Sequence, residues 1–569
     1  MVYKIADNIV SPLGKTTEQN YQAVKQGETA LSYHTTKWDI PEPFTASVFS
    51  ETQNQEMAVA GLTRFESMVV CSVRQALAET AFDIAAKNVV FILSTTKANV
   101  ELLGSAEAQS DVLHPGESAA RIAKAVGVTT SPIVVCNACI SGLSGIILAQ
   151  RLLESRTYDY AIVCGADVLD KFIISGFQSF KSMAEHACRP YDIERLGMNL
   201  GEAAATIVLS ATPAQEDTPW AIGCGTVRND AHHISTPSNK GEGAYRCLLP
   251  AIHATSVDSL ALVNAHGTAT MFMDQMESVA IQRAGLAGML VNSLKGYYGH
   301  TLGAAGVLET ILTMHATDDH TIIGTRGFEE LGVSGKIQVS AESQPTDKQS
   351  FIKLISGFGG SNAALLVTKI PHSIPQERPP KGTLHQTHRV SITPGCVTID
   401  GIAHTYQTSG KEMLTELYKN EVGDYPKFYK MDMLSRLGFI AAELLLKSEG
   451  KQRLEADEHR AVILFNHSSS LHADAQYLDS IKDSENYFPS PSLFVYTLPN
   501  IVTGEIAIRN HYYGETSFYI LAEEDASLIA QVQQASLNDP TTESMISGWL
   551  DYEDETNFKA DMYILDTGL

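Results

Sequence analysis

The sequence predicts an α/β fold with at least two domains, and three observations support this prediction. Up to about residue 370, short runs rich in β-branched residues alternate with longer amphipathic segments, a pattern typical of domains with mostly central sheets. A polar, proline-rich segment follows, and the remaining residues repeat part of the first pattern. A chain of 569 residues is also too long for one ordinary domain.

Apolar runs of strand length define the first domain, with predicted helices between them. Two of these helices are ESMVVCSVRQALAETA (66–81) and GLSGIILAQRLLES (142–155). Amphipathic stretches of this length are typical of helices that pack against a sheet. The runs predicted to be buried strands are NVVFIL (88–93), SPIVVCNA (131–138), YAIVCGA (160–166), AATIVLS (204–210), LALVNAH (260–266) and FIKLISGF (351–358).

A linker and a second domain are predicted to follow. The segment PHSIPQERPPKGTLHQTH (371–388) is polar, rich in proline and poor in apolar residues, which is typical of a linker. We therefore place the first domain at residues 1–372, the linker at 373–388 and an α/β second domain at 389–569.

The second domain repeats part of the first. Carrying the register of this repeat forward places Asp525 near the position of Cys139, so the second copy has no cysteine there. Chance similarity among α/β segments is the alternative interpretation. The matching pairs are NVVFILSTT (88–96) with RAVILFNHSSS (460–470), and PGESAARIAKAVGVTTSPIVV (115–135) with PNIVTGEIAIRNHYYGETSFYIL (499–521).

Composition and net charge favour an ordinary globular protein over a nucleic-acid-binding or membrane-spanning one. Hydrophobic residues make up 44% and charged residues 19% of the chain, as in ordinary globular proteins. The net charge of −24 argues against nucleic-acid binding. No run approaches the roughly 18 apolar residues of a membrane span, and the start does not resemble a secretory signal. Eight scattered cysteines favour reduced thiols, so we expect a cytoplasmic protein.

One cysteine pair fits a C-x-x-C spacing, at Cys136 and Cys139. A structural zinc site would need a second ligand pair, and the other cysteines supply none at similar spacing. We therefore predict no metal site. A thioredoxin-like redox site remains open on spacing alone, but the flanking residues favour another interpretation.

A strand–cysteine–helix pattern singles out Cys139. In VVCNACISGLSGIILAQRLL (134–153) a buried strand runs into small residues, and an apolar helix begins directly after the cysteine. Free N–H groups and the helix dipole at such a position stabilise a thiolate, and the same N–H groups can hold an oxyanion. Inert packing is the commoner role of a buried cysteine, so this context alone leaves both interpretations open.

Three further segments carry polar or glycine residues at strand ends. His266 ends a strand in VNAHGTATMFMDQMES (263–278), and Lys295 and His300 follow one in VNSLKGYYGHTLGAAG (291–306). Strand ends are where α/β sheets place functional groups, although a histidine there can equally be structural. The glycine-rich turn in LISGFGGSNAALLV (354–367) suits a backbone N–H aimed at a substrate oxygen.

In this order the four segments resemble the signature series of β-ketoacyl-acyl-carrier-protein synthases. The matching blocks are N-A-C-x-S-G, N-A-H-G-T-x-T, K-x-x-x-G-H-T-x-G-A-A-G and G-F-G-G-S-N. They are similar to the elongating Cys-His-His class of fatty acid synthase condensing enzymes and polyketide ketosynthases. The resemblance covers roughly residues 1–370, and further agreement comes from SPLGKTTEQNYQAVKQGETAL (11–31), CRPYDIERLGMNLGEAAATIVL (188–209) and NDAHHISTP (229–237).

The resemblance implies a thiolase-like architecture. Two related halves, at about 1–215 and 216–372, would pair into a five-layer α/β/α/β/α domain. Cys139 would belong to the first half and both histidines to the second. The second domain would resemble a degenerate N-terminal half that lacks the nucleophile. Such synthases are usually homodimers, so a homodimer is expected.

The resemblance also implies a decarboxylative Claisen condensation. Cys139 would accept an acyl group from the phosphopantetheine arm of an acyl carrier protein, with the amides of Cys139 and Phe358 as the oxyanion hole. His266 and His300 would then stabilise the enolate formed from malonyl-acyl carrier protein, giving a β-ketoacyl thioester. No tightly bound cofactor is implied. The product would belong to fatty acid or to specialised polyketide or polyene lipid biosynthesis.

The family pattern assigns roles to further residues. Lys295 would not be the base; Glu277 on the following helix is expected to be its ion partner, and a purely structural pair is the alternative. Thr268 and Thr270 would hydrogen-bond the pantetheine arm. Phe358 occupies the family's gating position between the cysteine and the acyl pocket.

The chain departs from the family at two positions near the nucleophile. Ser356 stands where many members carry a second aromatic residue, and Ile140 stands where serine or threonine is common, so the preferred acyl chain is left open. For carrier docking, the candidate cations are Arg64, Lys171 and Lys181.

Two related functions compete with this interpretation. A non-catalytic chain-length-factor partner of another synthase would typically lack the nucleophile, whereas this chain retains Cys139. A thiolase would carry a second catalytic cysteine near its C-terminus and would lack the K-x-x-x-G-H block.

Overall fold

The computed structural model describes residues 1–105, 110–213, 219–369, 382–450, 455–483 and 487–568. We call residues 1–369 the first part of the chain. Its strands are β1 Val2–Val10, β2 Leu31–His34, β3 Phe44–Ser47, β4 Val89–Ser94, β5 Ile133–Val135, β6 Tyr160–Asp167, β7 Leu200–Gly201, β8 Ala203–Ser210, β9 Trp220–Asn229, β10 Leu260–Asn264, β11 Val291–Asn292, β12 Thr321–Ile322, β13 Gln344–Pro345, β14 Ser350–Gly357 and β15 Ser361–Lys369. Its helices are α1 Thr17–Lys25, α2 Glu51–Met57, α3 Arg64–Leu77, α4 Pro115–Val126, α5 Ser141–Glu154, α6 Lys171–Ser179, α7 Glu242–His253, α8 Met271–Ile281, α9 Lys295–Tyr298 and α10 Ala305–Asp318.

The first part contains two sheets with the same strand order. One sheet runs β1-β8-β6-β4-β5 and the other runs β9-β15-β14-β10-β11. In both, the first two pairings are antiparallel and the last two are parallel. The parallel strands are buried on both faces, which explains their continuous apolar runs.

Helices separate and cover these sheets. Helices α5 and α10 pack against each other between the two sheets, and their residues are almost all buried. The outer face of the first sheet is covered by α3 and α4, and that of the second by α7 and α8. The predicted five-layer α/β/α/β/α organisation is therefore confirmed.

Residues 382–568, which we call the second part, repeat the strand order of the first sheet. They run β16-β22-β21-β19-β20, again with two antiparallel pairings followed by two parallel ones. Asp525 caps a helix directly after β20, much as Cys139 lies two residues before α5. The elements are β16 Leu384–Thr393, β17 Cys396–Ile399, β18 Ile402–Thr405, α11 Gly410–Glu421, α12 Met433–Glu449, β19 Arg460–Asn466, α13 Leu471–Asp479, α14 Pro491–Val495, α15 Ile501–Asn510, β20 Thr516–Ile520, α16 Ala526–Ser536, β21 Ser544–Tyr552 and β22 Phe558–Thr567.

The segment predicted as a linker, 373–388, ends in a strand, which differs from the prediction. Residues 373–381 lie outside the described residues, and β16 begins at Leu384. This polar stretch forms a strand because β22 supplies partners for its backbone, with Leu384 opposite Thr567. Composition alone does not reveal such a distant partner.

The two parts of the chain join along one strand edge. Strand β20 pairs antiparallel with β5, placing Tyr519 opposite Val135 and Ile520 opposite Val134. The first sheet and the sheet of the second part are therefore continuous. In the described part of the chain, no helix combines the length and apolar character needed to cross a membrane.

Candidate active site

Cys139 lies in a tight turn between β5 and α5. Ala138, directly before it, has a left-handed backbone with φ 49°, a conformation that costs free energy for a residue with a Cβ. Ser141 holds the turn, because its hydroxyl accepts from the Asn137 N–H at 2.8 Å and donates to the Ala138 carbonyl at 2.6 Å. The turn places the cysteine at the N-terminal end of a buried helix.

Glycines bring the turn that follows His300 against α5. A Cβ on Gly142 would lie 2.5 Å from the Gly303 carbonyl oxygen, so only glycine allows this approach. The buried Asp167 carboxylate accepts from the Gly303 N–H at 2.7 Å and from the Thr96 N–H at 3.1 Å. These contacts fix the loop after β4 to the loop that carries His300.

His266 follows β10 and is oriented by Glu277 on α8. The Glu277 carboxylate accepts from the backbone N–H of His266 at 2.6 Å and of Gly267 at 2.9 Å. It also accepts from the Tyr191 hydroxyl at 2.6 Å. Glu277 therefore holds the loop that carries the imidazole.

The two imidazoles lie side by side. Their ring centroids are 5.1 Å apart and the rings are nearly perpendicular. Burial, with the positive charges of Lys295 and Lys353, holds the pKa of His266 and of His300 well below the ordinary value. Nδ1 of His266 and both ring nitrogens of His300 have no hydrogen-bond partner among the described residues. Both rings are thus neutral and have nitrogens free for a ligand.

The expected pairing of Lys295 with Glu277 is wrong. Lys295 Nζ instead lies 2.8 Å from Glu309 Oε1 on α10, and Lys353 Nζ on β14 lies 2.5 Å from Glu309 Oε2. All three groups are almost fully buried. Burial would raise the pKa of Glu309, but the two ammonium groups lower it below the ordinary value.

Sequence reasoning missed Glu309 and Lys353. A lysine inside the apolar run FIKLIS (351–356) is the signal that could have revealed Lys353, because an unpaired ammonium is not tolerated in a buried strand. Glu309 lies within an apolar helix and gives the same kind of signal. Their pairing depends on the packing of α10 against the second sheet.

The turn between β14 and β15 brings Phe358 to the cysteine. A Cβ on Gly357 would lie 3.2 Å from the Cys139 backbone nitrogen. The backbone N–H groups of Cys139 and Phe358 act to lower the pKa of the Cys139 thiol. Burial nevertheless raises the pKa of the Cys139 thiol to about 12. The helix N-terminus, which predicted a stabilised thiolate, is therefore outweighed by desolvation.

One narrow cavity, about 80 Å³ in volume, brings most of the predicted residues together. Lys295 is buried and does not line it, and the Thr270 hydroxyl lies 3.0 Å from that of the lining residue Thr268. The predicted residues that line the cavity are Cys139, His266, Thr268, Glu277, His300 and Phe358. Within the described residues, no group of three or more His, Cys, Asp or Glu side chains could hold a metal ion.

Two family models match consecutive stretches of the chain. "Beta-ketoacyl synthase, N-terminal domain" matches residues 5–214 and "Beta-ketoacyl synthase, C-terminal domain" matches residues 221–329. Together these ranges cover more than half of the 569 residues.

Curated relatives match the same region. The chain is 32% identical over 254 residues to 3-oxoacyl-[acyl-carrier-protein] synthase 2 of Rhizobium meliloti (strain 1021), covering 41% of this chain and 60% of the relative. It is 30% identical over 256 residues to the protein of the same name from Coxiella burnetii, covering 42% of this chain and 62% of the relative. The chain thus spans less than two thirds of the length of these relatives.

Solved structures share the fold. A structure named "PfaC Keto synthase-Chain length factor" aligns with 100% of this chain and 78% of its own, with a TM-score of 0.78 and 15% identity. A β-ketoacyl synthase from Burkholderia phymatum STM815 covers 65% of this chain and 99% of its own, with a TM-score of 0.57 and 23% identity. The first alignment extends the fold similarity over the second part of the chain.

Proposed function

Because the chain belongs to the β-ketoacyl synthase family, we propose that it catalyses the decarboxylative condensation of an acyl thioester with malonyl-acyl carrier protein. The grouping of Cys139, His266 and His300 around one cavity carries this proposal. The phosphopantetheine arm of the carrier would bring both substrates to the cavity, and Thr268 at its wall would hydrogen-bond the arm. The product is a β-ketoacyl thioester in fatty acid, polyketide or polyene lipid synthesis.

In the first step the Cys139 sulfur attacks the acyl thioester. A new thioester forms on Cys139, and the bond to the phosphopantetheine sulfur breaks. The released thiol takes the proton that Cys139 loses, so a cysteine with a pKa of about 12 requires no other proton acceptor overall. The N–H groups of Cys139 and Phe358 stabilise the oxyanion of the intermediate.

In the second step the malonyl group loses its carboxylate as carbon dioxide or bicarbonate. Each neutral imidazole, of His266 and His300, donates one N–H to the thioester oxygen as the enolate forms. The carbanion then attacks the acyl carbon, and the Cys139 sulfur leaves as a thiolate. The low pKa of both histidines supports this role, because it keeps both rings neutral. Two protonated rings with centroids 5.1 Å apart would repel each other.

Intact-protein mass spectrometry with acyl-carrier-protein thioesters of several chain lengths tests the nucleophile. We expect an acyl adduct on the wild type and none on Cys139→Ala. Cys136→Ala is the matched control, because Cys136 is also a buried thiol three residues earlier, and this variant should retain the adduct. A folded wild type without an adduct from any donor would support the non-catalytic, chain-length-factor type of partner instead.

For the carrier protein we propose a docking surface on the second part of the chain. A cleft lined by His233, Ile234, Lys427 and Lys430 adjoins the candidate active site, since His233 and Ile234 line both. Both lysines are exposed, and neither has an ion pair among the described residues. Acyl carrier proteins are acidic, so these charges would attract one on an otherwise acidic chain.

Two of the three cations expected from the sequence are less suited to this role. The Arg64 guanidinium is engaged by Glu101 and Glu202, at 2.7 Å in each case. Lys171 is half-buried, unlike Lys427 and Lys430, and its Nζ lies over the ring of Tyr487, 5.6 Å from its centroid. Lys181 is exposed, and its docking role stays a prediction.

Charge reversal tests the docking surface. We expect the double variant Lys427→Glu and Lys430→Glu to raise the KM for malonyl-acyl carrier protein about tenfold or more at low salt, because like charges repel. Turnover of a small malonyl thioester should be unchanged. The control variant Lys411→Glu and Lys419→Glu changes the same charge on α11, and an equal effect of both variants would refute a specific surface.

We further propose that the second part acts as a built-in, non-catalytic partner of the first. Its strand order and its helix cap at Asp525 in place of a cysteine support this role. The homodimer expected from the family stays a prediction; the edge of β5 is not open to a second copy, because β20 covers it. The eight free thiols support the proposal of a cytoplasmic location.

A further inference from the structure

A second, smaller cavity adjoins the candidate active site. It shares Cys139 and Phe358 with the first cavity, and it is also lined by Thr96 and Lys97 of the first part and by Phe494 and Leu498 of the second. Its volume is about 10 Å³, at the lower limit of the roughly 10–15 Å³ that one water molecule needs. An acyl group on Cys139 can enter it only if the side chains that line it move.

Among the residues that line this cavity, Lys97 is held by a buried ion pair. Its ammonium donates to the Asp474 carboxylate, with an N–O distance of 2.5 Å, to the Ser470 hydroxyl at 3.0 Å and to the Thr497 carbonyl. These partners use all three of its N–H donors, and all belong to the second part of the chain. The side chains of Lys97 and Asp474 are 3% and 4% exposed.

The backbone on both sides of this pair is also fixed. The N–H groups of Thr96 and Lys97 donate to the Asp167 carboxylate, at 3.1 and 3.4 Å. On the other side, Thr497 lies between the two lining residues Phe494 and Leu498, and Phe494 packs against Phe172 and Phe177 on α6. Displacing Lys97 would therefore mean breaking a buried ion pair between the two parts of the chain.

We propose that the Lys97–Asp474 ion pair closes the acyl cavity and restricts the acyl group on Cys139 to short chains. This inference rests on the proposed function. A hydrocarbon tail offers no acceptor to replace the carboxylate, the hydroxyl or the carbonyl, so a longer chain would leave a buried ammonium without partners. Residues of both parts thus determine specificity together.

Acyl transfer from N-acetylcysteamine thioesters tests this inference without a carrier protein. The Cys139 sulfur bonds to the acyl carbon, the bond to the N-acetylcysteamine sulfur breaks, and the released thiol takes the proton. With acetyl, butyryl, hexanoyl and octanoyl donors, we expect the wild type to form the butyryl adduct at least tenfold faster than the octanoyl adduct. A wild type that accepts both equally would overturn the proposal.

Two double variants test the ion pair: one also removes most of the Lys97 side chain, and the other keeps a side chain of similar size. Lys97→Ala with Asp474→Asn removes the pair and its volume, and we expect the octanoyl-to-butyryl ratio of rates to rise at least tenfold. Lys97→Met with Asp474→Asn removes the charges but keeps most of the side-chain volume; without the ion pair the methionine can move aside, so its ratio should also rise. An unchanged ratio in either variant would refute closure by the ion pair. A wild type without any adduct would refute the proposed function instead.

Discussion

The buried ammonium groups of Lys295 and Lys353 share the Glu309 carboxylate near the two histidines. Lys353 Nζ contacts Glu309 and also the carbonyl oxygen of Ala265 at 3.3 Å, directly before His266. Burial lowers the pKa of Lys353 to about 8, so at lower pH it is charged. Its charge then opposes protonation of His266 and His300.

We predict that Lys353→Met makes the proposed condensation more sensitive to acid. With one positive charge removed, the pKa of both histidines rises towards the ordinary value, so the acid limb of the rate profile moves up by about one pH unit. Carbon dioxide release from a malonyl thioester at pH 5 to 8 measures this shift. Lys348→Met, which removes an exposed lysine just before the same strand, is the control. Identical profiles for the two variants would refute the effect.

The sequence predicted the site residues by type and order but not their pairing. Motifs at strand ends located Cys139, His266 and His300, because α/β sheets place functional groups at the carboxyl ends of their strands. The partner of Lys295 was predicted from nearness along the chain, whereas Glu309 reaches it through the packing of α10. The thiol pKa also depends on burial, which no local motif encodes.

At the scale of elements, close contacts between helices determine how the two parts of the chain pack together. Helix α6 meets α14 of the second part where Gly176 faces Phe494, and a Cβ on Gly176 would overlap that ring. Repeated strand runs predicted the α/β character of the second part. The exact start of β16 could not be predicted, because its partner β22 lies at the other end of that part.

We predict that Gly176→Ala lowers the free energy of unfolding by about 1–3 kcal/mol, because the added methyl group overpacks the contact with Phe494. This loss exceeds the gain of up to about 1 kcal/mol from alanine in a helix. Urea unfolding measures it. Adding Phe494→Leu should restore stability in the double variant, and a double variant no more stable than Gly176→Ala would contradict the steric explanation.

At the scale of the whole molecule, buried charges join the two parts. Arg228 makes two hydrogen bonds of 2.9 Å to Asp539, and Arg151 contacts Asp539 at 3.0 Å and Glu515 at 2.6 Å. Both arginines belong to the first part and both carboxylates to the second. Without the second part, two buried guanidinium groups would lose these partners.

We predict that Asp539→Ala destabilises the protein by about 3–5 kcal/mol, because it leaves the arginines buried without this carboxylate. Burial would raise the pKa of Asp539, but both arginines hold it below the ordinary value. The stabilisation is therefore present at neutral pH and is lost only in strong acid.

Urea unfolding at pH 7 checks this prediction. Lys559→Ala, which breaks the half-exposed pair with Glu524, should cost less than about 1 kcal/mol. Similar losses of unfolding free energy in the two variants would show that the buried network stabilises the protein no more than a surface ion pair does.

The continuous sheet formed through β5 and β20 also determines how the protein behaves when it is diluted. Two partners on separate chains come apart when their concentration falls below the dissociation constant, and the site they share is then lost. Here both strands belong to one polypeptide, so each faces the other at a local concentration on the order of millimolar however few molecules are present. The first and second parts of the chain are therefore always made in equal numbers.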